Sequence, residues 1–79
     1  MTRRFAEAEP LAREAIAIDP KRHNAHKNLG LALMGQGRLS AAAGSFNIAR
    51  VLCPHDERAT HYLAMVEERL RGTPGRQPP

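Results

Sequence analysis

Apolar residues along this chain recur at intervals of three and four, as at Leu29 and Leu33, or at Ala59, Leu63, Val66 and Leu70. That spacing keeps one side of an α-helix apolar. The pattern predicts helices over roughly 3–18, 22–35, 39–52 and 56–71, an all-α antiparallel array. Pro20 and Pro54 punctuate it: proline lacks a backbone N–H and disfavours helix in the residue before it, so a helix should stop near Leu52 and the next begin just past Pro54. Gly35-Gln36-Gly37 supplies the other turn, with one glycine available for the left-handed conformation that ends a helix.

The pattern also repeats. Sliding the sequence by thirty-four residues pairs Arg4 with Arg38, Ala8 with Ala42, Ala15 with Ala49, Pro20 with Pro54, Ala25 with Ala59 and Leu29 with Leu63. Phe5 falls on Leu39, Ile18 on Leu52, Gly30 on Ala64 and Leu31 on Met65. A period in this range is the mark of stacked helical units, each too small to bury its own apolar face. Two antiparallel helices approach closely only where small residues face each other, and Gly30, Ala42 and Ala49 supply that; Leu29, Leu33, Leu39, Phe46 and Leu52 then fill the gaps.

The unit from His23 to Asp56 resembles a tetratricopeptide repeat, whose pattern is Trp-x2-Leu-Gly-x2-Tyr, then Ala-x3-Phe, then Pro. Leu29-Gly30, Leu33 in the tyrosine position, Ala42 with Phe46, Ala49 and Pro54 carry the match, and His26 stands where the family has tryptophan. Half-units precede it (Phe5, Ala8, Ala15, Asp19-Pro20) and follow it (Ala59, Leu63, Ala64). The resemblance covers residues 1–71 and implies a right-handed superhelical solenoid fragment of four helices that acts as a protein–protein interaction module or scaffold.

It also implies a binding face, because in this family the first helix of each unit lines the concave side. In the complete unit that face would carry Asn24, Lys27, Asn28 and Leu31; in the next, Arg58, His61, Tyr62 and Met65. Such a groove suits a peptide segment with an acidic group, Asn28 gripping backbone and Lys27 or Arg58 pairing with a carboxylate. Cations on an outward helix face need no ligand, so each of these residues also has a plain solvated role. Chaperone-binding members use a clamp of lysines, asparagines and an arginine. Asn28 and Arg58 match parts of it, but Tyr62 falls where a further basic residue is wanted.

Both ends are half-units in this frame. The last helix has the polar side of a terminal cap, with Glu67, Glu68, Arg69 and Arg71, which suggests a true C-terminus. The first lacks its partner, so the chain is expected either to be the tail of a longer repeat protein or to self-associate or dock another subunit through its first helix. Pro10 falls in the opening turn if that helix starts near Ala6, and kinks it if the start is near Thr2. Gly44 lies mid-helix, where it costs about 1 kcal/mol relative to alanine, and this suggests tight packing against a neighbour. Residues 72–79, rich in Gly and Pro, form an expected disordered C-terminal tail.

Charge and candidate chemistry change this picture little. The 79 residues carry a net charge of +4 and a sequence pI near 10.2, which raises the alternative of a basic helical module binding nucleic acid or another acidic partner. The cations are spread along the chain, however, and Phe5 and Phe46 are needed inside, which argues against a dedicated nucleic-acid site. No run approaches the roughly 18 apolar residues of a membrane span, Glu7 and Glu9 interrupt any signal-peptide core, and the expected location is the cytoplasm. Cys53 is the single cysteine, fitting a reducing compartment and a plain turn residue. His23 and His26 lie three apart but lack further ligands at metal spacing. Ser40, Ser45 and Cys53 have no organised base and third group, so neither enzymatic activity nor a cofactor is expected.

Overall fold

In a computed structural model, which describes the backbone of residues 2–72 and the side chains of residues 4–72, the chain is all-helical. It forms α1 (Thr2–Ile18), α2 (His23–Gly35), α3 (Leu39–Leu52) and α4 (Glu57–Leu70), each within about one residue of the bounds the apolar spacing predicts. No strand occurs among the described residues. Apart from Gly72, the expected tail lies outside the described residues.

The turns are built from local hydrogen bonds, and two of them are alike. After α1, the Asp19 N–H donates to the Ala15 carbonyl (3.0 Å) and Arg22 N–H to the Asp19 carbonyl (3.1 Å); after α3, Cys53 N–H donates to Ala49 (3.0 Å) and Asp56 N–H to Cys53 (3.1 Å). These are the same bonds thirty-four residues apart. The α2–α3 turn ends its helix differently. Gly37 takes φ +80°, its N–H donates to Met34, and Arg38 N–H donates to Leu33 at 2.9 Å, satisfying two carbonyls that the helix end would otherwise orphan.

Each helix packs on its neighbours in the chain, and α2 also touches α4, whereas α1 reaches α2 alone. The core therefore lies where α2, α3 and α4 meet. Leu33, Phe46 and Val66 are its largest fully buried side chains, and the Phe46 and Tyr62 rings stack with centroids 5.5 Å apart. Gly30 makes this possible: a Cβ there would stand 2.5 Å from the Phe46 ring. Gly35 is needed for the same reason, since the Phe5 ring lies over it. His26 is buried as well, and its Nε2–H donates to the Pro20 carbonyl at 2.8 Å, so the residue in the tryptophan position ties α2 to the preceding turn.

Two expectations are corrected, and one open alternative is decided. Gly44 is exposed, with nothing within 4 Å of where its Cβ would be, so no neighbour requires the glycine. Leu52 is 37% exposed, because it ends α3 on a side that no other helix covers. Of the two alternatives for Pro10, the earlier helix start holds: α1 is helical from Thr2 and runs through Pro10, and the missing N–H leaves the Ala6 carbonyl without its helical donor. Pro10 and Gly44 occupy the same repeat position and both face solvent, where a poor helix former disturbs no packing.

Candidate functional site

A recess lies between α1 and α2, a groove of about 460 Å³. Its floor is made of alanines, among them Ala8, Ala12, Ala15, Ala25 and Ala32, and its walls include Leu11 and Leu31. Small side chains leave the backbones to form a broad apolar trough. Leu11 is 68% exposed, and Ile18, one heptad further along α1, is 79% exposed. Arg4, Ala8, Leu11, Ala15 and Ile18 are spaced four, three, four and three, a straight seam on the helix of the kind that receives a second helix.

The groove ends are cationic. Arg4 lines it near the start of α1 and Arg22 lines it past the end of that helix, more than about 20 Å away at 1.5 Å of rise per residue. Both are exposed, and neither side chain has a hydrogen bond or ion pair among the described residues. Two other arginines near this part of the chain are engaged. Arg13 and Arg38 both pair with Glu9 at 2.8 Å, and Gln36 Nε2 donates to the same carboxylate at 2.9 Å. This clasp ties α1 to the α2–α3 turn, and the bonds from Gln36 and Arg13 hold the Glu9 carboxyl below its usual range.

A second, shallower recess of about 320 Å³ is lined by Glu57, Arg58, His61 and Tyr62 at the start of α4. Asp56 caps this helix: its Oδ1 accepts from the Arg58 backbone N–H at 3.1 Å and from Arg58 Nε at 2.9 Å, and its Oδ2 from Arg58 Nη2 at 2.8 Å. These bonds hold the Asp56 carboxyl well below the usual carboxylate range and raise Arg58 in turn. His23 Nδ1 lies 3.6 Å from the same carboxylate, so a carboxylate does stand beside this histidine. Among the described residues, no group of three or more His, Cys, Asp or Glu could hold a metal ion.

Of the eight residues expected on one face, six are divided between two recesses and two line neither. Asn24, Asn28 and Leu31 line the α1–α2 groove, while Arg58, His61 and Tyr62 line the recess on α4. Lys27 and Met65 are half-buried. Lys27 has no hydrogen bond or ion pair, and burial, followed by the nearby Arg58 charge, pushes its pKa down. Arg58 is already held by Asp56, so its guanidinium is committed within the chain. The α1 half of the groove, Leu11 above all, was not among the expected binding residues. The seam spacing on α1 and the pairing of Ala8 and Ala15 with core positions one repeat later are the signals that point to it.

The chain matches no family model, no curated protein and no solved structure. No helix among the described residues is long and apolar enough to cross a membrane.

Proposed function

We propose that the chain is a slice of a tetratricopeptide-like helical solenoid and works as a protein–protein interaction module. One observation carries this reading: an open apolar groove, walled by an exposed leucine and flanked by two arginines that have no side-chain partner among the described residues. Contiguous apolar surface rimmed by polar groups is the usual ground for protein association. The thirty-four residue repeat and the two matching turns support the solenoid arrangement. Lys27, a half-buried cation that feels the Asp56 charge but has no direct ion pair among the described residues, remains a contact for an acidic side chain on a bound segment. The engagement of Arg13, Arg38 and Arg58 with carboxylates lowers the number of cations free to follow a phosphate backbone, which disfavours the nucleic-acid alternative.

Panning a random peptide display library against the full chain tests this, alongside titration of a fluorescent random-sequence oligonucleotide across a salt series. Enriched peptides that converge on a shared side-chain pattern support it. No convergence, together with oligonucleotide binding that falls steeply with salt and ignores sequence, sinks it.

A further inference from the structure

We infer that the α1–α2 groove is the docking site for an amphipathic helix of a partner protein, one that presents the leucine-small-x-x-leucine stripe of α2 and carboxylates toward Arg4 and Arg22. This deepens the interaction-module reading and rests on it. The template is inside the molecule. Shifted by thirty-four residues, the groove positions Phe5, Ala8, Ala12, Ala15, Ala25 and Ala32 become Leu39, Ala42, Phe46, Ala49, Ala59 and Val66, which are the core and its edge at the α3–α4 junction. What covers that junction is α2, through Leu29, Gly30 and Leu33. The same surface one repeat earlier has no helix on it among the described residues.

Bulk and charge specify the occupant further. The Phe46–Tyr62 stack corresponds to Ala12 and Asn28, so the earlier groove has room for larger side chains. In the occupied junction His23 of α2 stands 3.6 Å from Asp56, and Gln36 lies beside Arg38, with Arg38 Nη1 donating to Gln36 Oε1 at 3.4 Å. One repeat earlier the counterparts of Asp56 and Arg38 are Arg22 and Arg4. Carboxylates on the occupant therefore belong at the positions of His23, the first residue of α2, and Gln36, its C-cap.

The chain's own helices fit less well. In the register of α2, a second copy's α4 would offer Leu63, Ala64 and Glu67 in place of Leu29, Gly30 and Leu33, laying a carboxylate on the alanine floor. Antiparallel twofold pairing of α1 about Leu11 sets Glu7 of each copy beside Glu14 of the other. A partner helix avoids both penalties.

The probe is a peptide of residues 22–36 bearing H23E and Q36E, held helical by a lactam between N24K and N28E, titrated by fluorescence anisotropy into the full chain. Saturable binding is expected, weakened about tenfold or more by L33E in the peptide or by L11E in the chain. Leu11 is exposed, so circular dichroism of the L11E chain should be unchanged. R22E in the chain should weaken binding and peptide carrying lysine at position 23 should restore it, a rescue that general loss of structure cannot produce. No binding by a monomeric chain overturns the proposal. So does binding that ignores L11E but is lost with K27A, an outcome that leaves the interaction-module reading standing and moves the site to the Lys27 face. If the chain alone sediments as a dimer that L11E dissociates, a second copy fills the groove and the partner-helix proposal falls.

Discussion

The α3–α4 junction and the α1–α2 groove are the same positions read twice along the chain, yet one is a core and the other an open surface. At the junction, Phe46 and Val66 have no exposure because α2 lies over them. In the groove, Ala12 and Ala32 take those places, and Leu11 stands in solvent beside them. Similar apolar spacing therefore gives a buried core where a third helix arrives and an open apolar surface where none does.

The sharpest break in this comparison is Phe46→Ala. It should cost about 3–5 kcal/mol, enough to unfold most of a domain this small, whereas Leu11→Ala should stay within about 0.5 kcal/mol; urea denaturation followed by circular dichroism measures both. If Leu11→Ala proves as costly as Phe46→Ala, the groove is already filled in solution.

The glycine and proline positions give the next largest effects, with opposite signs. Pro10→Ala should stabilise by up to about 3 kcal/mol by restoring the bond to the Ala6 carbonyl. Gly30→Ala should destabilise by about 1–3 kcal/mol, since its Cβ meets the Phe46 ring at the closed junction. Gly44→Ala, with open space around it, should stabilise by about 1 kcal/mol. Thermal melts of the three variants rank them directly, and a gain of stability in Gly30→Ala would show that the junction is looser than the geometry indicates.

The smallest effect is electrostatic. Glu9 and Asp56 both have carboxyls held below their usual range, so the folded state favours their charged forms. Their contribution is fully present above the unfolded carboxylate range near about 4 and is lost as pH falls through the lowered values. The melting temperature should be level from neutral pH to about 5 and decline below about 4. Glu9→Gln, which releases Arg13 and Arg38 and loosens α1 from the α2–α3 turn, should lower the plateau slightly and make the acid decline shallower. The arginine partners are exposed, so these pairs are screened and added salt should shrink the difference.

Much of this was legible in the sequence. The three-and-four spacing, the two prolines and the Gly35-Gln36-Gly37 segment placed all four helices, because helix periodicity and turn chemistry are local properties. Gly30 opposite a large residue was legible from the repeat. The orientation of single positions was not: Gly44 and Leu52 were expected inside, and only the direction each faces on α3 shows that they are outside. The clasp of Glu9 with Gln36 and Arg38 joins residues far apart in the chain, and nothing in their spacing announces it.

By itself, then, the sequence determined the number of helices, where they stop and which residue types could pack, since backbone preference and apolar period act over a few residues. Tertiary structure alone decided which of two equivalent apolar surfaces is covered. That depends on a helix arriving from elsewhere in the chain, and α2 can lie over α3 and α4 while no helix among the described residues lies over α1 and α2 from the same side. It also decided that Arg58 serves Asp56 while Arg4 and Arg22 have no side-chain partner among the described residues, because pairing depends on distances that only the fold sets.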